Sequence, residues 1–180
     1  MMKKKISTFI LTVAAIASCA FGFSACDGAN DLEEELVDFY YTLTKTECII
    51  TGVKDKTVTE IVIPDGVTAI GENAFEECTS LASVVIPSSV TSIGERAFYD
   101  CDGLYSIVIP DGVTSIGAFV FEECDFLENI IFKDTSTWYR TYNDLDWKNK
   151  TGGEEVDLSD SSKNAWLFYD VYSHYNFYKL

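Results

Sequence analysis

The chain has 180 residues, with 29 Asp and Glu against 13 Lys and Arg, and a formal net charge of −16 at pH 7. So acidic a chain lacks the basic face that phosphate binding needs, which excludes nucleic-acid binding, and anionic lipid head groups would repel it. With 47% hydrophobic and 14% aromatic residues it suffices for one compact domain, or for one elongated domain with a small appendage.

The amino terminus carries Lys3, Lys4 and Lys5, then an uncharged apolar run from Ile6 to Phe23, then the small residues Ser24 and Ala25 before Cys26. This is the layout of a secretory signal over 1–25. The apolar run reaches only the lower edge of a membrane span. Small residues crowd its end, and the polar Asp27, Gly28, Asn30 and Asp31 follow at once. The segment resembles a bacterial lipoprotein signal peptide. That resemblance implies cleavage before a cysteine whose sulfur receives a diacylglycerol. Cys26 is the favoured site, where the apolar run meets the polar linker. Cys19 is the alternative, with the more usual letters Ile16-Ala17-Ser18 before it, but it would leave Ala20-Phe21-Gly22-Phe23 on the mature end. Two acyl chains, at about 0.8 kcal/mol per buried methylene, anchor a protein stably. Cleavage at Cys26 removes three lysines and no acid, so the net charge moves from −16 to −19.

Residues 26–37 read as an acidic linker, with one helical turn possible over Asn30–Glu35. Residues 38–60 read as an amino-terminal β cap built from two segments, Phe39 to Thr44 and Glu47 to Thr51. A cap is needed because the open end of a repeat array templates other chains.

Over 61–133 the chain repeats itself. Ile61-Val62-Ile63-Pro64-Asp65-Gly66-Val67-Thr68-Ala69-Ile70-Gly71 returns 23 residues later as Val84-Val85-Ile86-Pro87-Ser88-Ser89-Val90-Thr91-Ser92-Ile93-Gly94. It returns again as Ile107-Val108-Ile109-Pro110-Asp111-Gly112-Val113-Thr114-Ser115-Ile116-Gly117. Each copy continues through Phe75, Phe98 or Phe121 to Cys78, Cys101 or Cys124 and then Leu81, Leu104 or Leu127. Ile130-Ile131-Phe132 starts a fourth copy that is not finished. A fixed period of this size marks a solenoid. Ile61 and Ile63 alternate with Val62 as a strand does. Proline ends the ladder because it has no N–H, and Asp-Gly suits the turn. Val67 and Ile70 place a second extended segment on another side of the coil. Ala74-Phe75 and Cys78 fit a short helical turn with its apolar side inward. Stacked coils bury one another's apolar interior.

The columns Ala74-Phe75, Cys78, Leu81, Val84, Ile86-Pro87 and Ile93-Gly94 resemble the BspA-type leucine-rich repeat, over Val58 to about Lys133. The resemblance implies a mainly β protein, a short right-handed leucine-rich-repeat solenoid, on bacterial cell surfaces or among secreted proteins, and often used in adhesion. Cys48-Ile49-Ile50-Thr51-Gly52 is similar to the step that precedes the first full repeat in that family. Residues 134–180 form an aromatic carboxy-terminal cap, with one hairpin or strand pair expected. Phe132-Lys133-Asp134-Thr135 and Trp138 resemble the exit segment of such domains.

Four groups of residues are candidates for chemistry. The cysteine column is a small buried apolar file first, a disulfide between neighbouring coils second, and a zinc site last, since no Cys-x-x-Cys exists and His174 is the one histidine. The stacked acids Glu77, Asp100 and Glu123, and Glu72 and Glu95, carry no calcium-loop spacing and read as a solvated face. The outward strand positions Val62, Val85, Val108 and Ile131, flanked by Tyr105 and Glu128, form a candidate ligand-binding stripe, weighed against β propensity alone. Trp138, Tyr139, Trp166, Tyr169 and Tyr172 form an aromatic patch that is either cap core or a sugar platform. No nucleophile motif, phosphate loop or metal set is present, so neither an enzyme nor a cofactor is expected. The expected function is a lipid-anchored surface protein that binds an extracellular protein or glycan. The alternative is a scaffold subunit of an envelope assembly.

Overall fold

The computed structural model describes residues 36, 38–141, 153–168 and 174–179. The signal, Cys19, Cys26 and all of the linker but Leu36 lie outside the described residues, as do Tyr169 and Tyr172. The fold is mainly β, a solenoid of about four turns with repeats of about 23 residues.

The first side of each coil is a strand. β3 (Glu60–Val62) pairs parallel with β5 (Ser83–Val85), and β7 (Ser106–Ile109) pairs parallel with β9 (Asn129–Phe132). The register is one repeat: Ile61 faces Val84, and Ile107 faces Ile130. These four residues point inward and are buried. β5 and β7 belong to separate two-stranded sheets, so the ladder on this side is interrupted between the second and third coils.

The proline then turns the chain. The carbonyls of Pro64, Pro87 and Pro110 accept the N–H of Val67, Val90 and Val113 at 3.2–3.3 Å. In the first of these turns Gly66 sits at φ 95, a conformation glycine takes without steric cost. The second side follows as two-residue strands: β4 (Ala69–Ile70), β6 (Ser92–Ile93) and β8 (Ser115–Ile116). They pair parallel in register, Ile70 with Ile93 and Ile93 with Ile116. Gly94 and Gly117 follow directly. A Cβ there would lie 2.6 Å and 2.4 Å from backbone nitrogen of the preceding coil, so only glycine permits this spacing.

The third side departs from the expected helical turn. Asn73, Glu77, Arg96, Asp100, Phe119 and Glu123 all have φ between 53° and 61°. A right-handed helix needs negative φ at every residue. A helical turn would also keep its N–H groups to itself. Here alternate N–H groups point along the stack instead. Asn73, Phe75 and Glu77 donate to the carbonyls of Glu95, Ala97 and Tyr99 at 2.8–3.0 Å, and Arg96, Phe98 and Asp100 repeat this to Ala118, Val120 and Glu122. The inward direction expected for Ala74, Phe75 and Cys78 is kept, and all three are buried.

Inside the coils the phenylalanine column makes a stacked file. Phe75 and Phe98 lie 5.1 Å apart and Phe98 and Phe121 5.7 Å apart, with rings within 16° of parallel. Phe39 caps the file edge-on at one end and Phe168 at the other.

Both ends of the solenoid are closed by strands. β1 (Phe39–Leu43) and β2 (Cys48–Val53) form an antiparallel hairpin, and β2 joins β4 in parallel. At the other end β10 (Trp138–Thr141) and β11 (Glu154–Val156) form an antiparallel pair. The cap holds more than that pair. β12 (Asn176–Lys179) lies antiparallel between β8 and β10, completing an eight-stranded sheet in the order β1-β2-β4-β6-β8-β12-β10-β11. A short helix, α1 (Ser161–Trp166), is capped by the Asp160 side chain, which accepts the N–H of Ser162 and Lys163. It packs beside β9. From it the buried Asn164 donates to the carbonyls of Ile130 (3.0 Å) and Leu158 (2.8 Å). Ile130 is on the outermost strand of its ladder, so this side chain satisfies an edge that a further coil would otherwise have met.

Candidate ligand-binding face

The strand alternation that buries Ile61, Val84, Ile107 and Ile130 turns the residues after them outward. Val62 is 67% exposed, Val85 54%, Val108 37% and Ile131 37%. Val62 stands beside Val85, and Val108 beside Ile131, in the parallel ladders. The stripe crosses four strands, about 15 Å at the usual strand spacing. Tyr105 and Glu128, one repeat apart, are both exposed, and the tyrosine hydroxyl donates to the glutamate carboxylate. That bond raises the Tyr105 phenol above its ordinary value. All six residues expected on this face are therefore on the surface.

Among the described residues, three exposed large apolar residues lie outside the six: Tyr40 and Leu43 on β1, and Phe126. Phe126 is 66% exposed in the loop before β9. It occupies the column of Ser80 and Gly103. A bulky apolar residue in a column otherwise held by small ones was the available signal.

The aromatic tail divides. Trp138 is only 1% exposed and packs edge-on against Phe132 at 5.3 Å, so it is cap core. Tyr139 is half-buried and stacks on the buried Tyr178 at 5.4 Å. Trp166 ends α1.

The cysteine column is a set of buried free thiols: Cys78, Cys101 and Cys124, with Cys48 in the amino-terminal hairpin. Cys101 donates its S–H to the Phe75 carbonyl at 3.1 Å, and Cys124 to the Phe98 carbonyl at 3.0 Å, tying each coil to the one before. Burial raises the Cys48 thiol and pushes Cys78 to about 11. The adjacent Cys124 thiol, with burial, holds Cys101 up as well. These are inert core groups. The acidic column Glu77, Asp100 and Glu123 coincides with the positive-φ positions of the third side. Among the described residues, no three His, Cys, Asp or Glu side chains converge as metal ligands would.

A family model described as the BspA type leucine rich repeat region matches residues 53–143, in 6 copies. None of the curated proteins compared matches the chain. Among solved structures, the chain is similar to the T. pallidum leucine rich repeat protein. The two are 37% identical with a TM-score of 0.51, over 54% of this chain and 49% of that one. It is 41% identical to a leucine rich cell surface protein from Faecalibacterium prausnitzii, over 44% of this chain and 21% of that one, with a TM-score of 0.42. It is 31% identical to a leucine-rich repeat protein from Eubacterium ventriosum, over 51% and 27%, also with a TM-score of 0.42. The match thus spans from about a fifth to about half of the length of these relatives.

Proposed function

This chain belongs to the BspA type leucine rich repeat family, and on that premise we propose that it is an exported, lipid-anchored surface protein. It binds an extracellular protein or glycan through the strand face of its solenoid, and it does no catalysis. One observation carries the reading. Four outward aliphatic side chains, Val62, Val85, Val108 and Ile131, stand exposed on successive strands of the solenoid. Contiguous apolar surface on a repeat array is the usual mark of a binding face. The leader over 1–25 supports export, and lipidation at Cys26, or else Cys19, supplies the membrane link that the chain's acidity denies it.

Serving as a scaffold subunit through the solenoid ends draws less support. At the carboxy-terminal end the strands β8 and β9 already meet β12 and Asn164. The test is a panel of immobilised extracellular proteins and glycans probed with the mature protein and with a Val85→Ser/Val108→Ser variant. Saturable binding that the variant loses supports the face as the site. Binding of equal strength by both proteins removes it. Mass spectrometry of the mature amino terminus decides between Cys26 and Cys19.

A further inference from the structure

The chemistry of the face narrows the class of ligand. A sugar site needs an open aromatic platform with free hydrogen-bonding groups beside it. The stripe is wholly aliphatic. Of the two exposed aromatics that precede its strands, Tyr105 has its hydroxyl engaged by Glu128 and Phe126 carries no polar group. Trp138, the tryptophan nearest the solenoid in sequence, is buried in the cap.

The border of the stripe is mostly acidic. Glu60 begins β3, Asp65 and Asp111 stand exposed in the turns after β3 and β7, and Glu128 precedes β9. Lys133 follows β9. The ion pairs among the described residues use Glu77, Glu154 and Asp134, so none of these four border carboxylates is neutralised by one. The field of a chain at −16 has the same sign and would draw cations to this face and repel acidic partners.

We infer that the face takes a protein segment with an apolar ridge edged by lysine or arginine, and not a glycan. The ridge covers the Val62–Ile131 stripe, and the basic edge meets Glu60, Asp65 and Asp111. The inference rests on the strand-face reading above and specifies its partner.

The experiment uses the full chain and four probes. Three are labelled dodecapeptides that alternate Val with Lys, Ser with Lys, and Val with Glu. The fourth is a set of neutral oligosaccharides: chitotriose, lactose and mannotriose. Binding is read by fluorescence anisotropy for the peptides and by calorimetry for the sugars. The Val/Lys peptide should bind saturably and at least tenfold more tightly than the other two peptides. Its affinity should fall at least tenfold in Val85→Ser/Val108→Ser. In Glu60→Gln/Asp65→Asn/Asp111→Asn it should fall and lose most of its salt dependence. All five positions are on the surface, and an unchanged unfolding midpoint checks that the fold is kept. Three results overturn the inference: no binding by the Val/Lys peptide, equal binding by Ser/Lys or Val/Glu, or indifference to both variants. Should a sugar bind instead and be lost with Val85→Ser/Val108→Ser, the strand face stands and its protein partner falls. Binding of any probe that ignores both variants defeats the face as well.

Discussion

Truncating Phe98 to alanine tests whether the coils are held as one body by the file of rings. Phe98 is fully buried and stacks on Phe75 at 5.1 Å and on Phe121 at 5.7 Å. A buried Phe→Ala change costs about 3–5 kcal/mol through lost transfer energy and the cavity left behind. Loss of two stacked partners places Phe98 toward the top of that range, since each such pair adds about 0.5–1.5 kcal/mol beyond area burial. A domain of this size has only about 5–15 kcal/mol to lose. Phe98→Ala should therefore move the denaturation midpoint far toward zero with little change in slope. Phe98→Leu keeps more of the volume and should lose less than half as much. Guanidinium unfolding followed by circular dichroism gives both numbers. A loss below about 1.5 kcal/mol for Phe98→Ala would refute the close-packed file, because a site that collapses so readily is not one whose neighbours are fixed by stacking.

Asn164→Ala should cost about 2–3 kcal/mol, since the carbonyls of Ile130 and Leu158 lose their donor in a buried place; a neutral effect on unfolding would show that the edge of β9 is not closed by this side chain. Lys179 bonds Asp134 at 2.6 Å and holds its carboxyl at about 2, below the ordinary 3.8. That lowered value makes the bond's contribution complete above pH 3.8 and lost as pH falls toward 2. Lys179→Met should flatten that part of the thermal stability profile, and parallel curves for the two proteins between pH 2 and 5 would count against it. Cys78, Cys101 and Cys124 should resist iodoacetamide at pH 8 in the folded protein and react after unfolding, as mapped by peptide mass; rapid labelling in the native state would contradict their burial.

Much of this was legible in the sequence because a period of 23 aligns identical environments. The Ile61–Val84 and Ile107–Ile130 pairs and the proline turns follow from the columns alone; Gly94 and Gly117 read as corners, and the close approach that requires glycine there comes from the stacking of coils. The BspA-type resemblance, stated from Ala74-Phe75, Cys78, Leu81 and Ile86-Pro87, was correct. The stripe was legible too, because strand alternation assigns Val62 and its equivalents outward once Ile61 is inward. Other features were hidden for physical reasons. Nothing in the letters Glu77, Asp100 and Glu123 marks positive φ, because the stack's hydrogen bonds impose that backbone on them. The partner of Asn176–Lys179 is Ser115–Ile116, brought together by tertiary packing that no local pattern encodes. Asn164 looks like an ordinary polar helix residue until β9 needs a donor.

The reversed direction of β12 fixes where the array can change in length. Every strand between β2 and β8 in that sheet runs the same way, and β12 runs against them. The strand beyond it, β10, pairs antiparallel with β12 and is not another coil of the solenoid. Duplication or loss of a 23-residue unit is therefore neutral to both terminal fittings only when it falls among the inner coils. A unit inserted there would widen the aliphatic stripe by one residue.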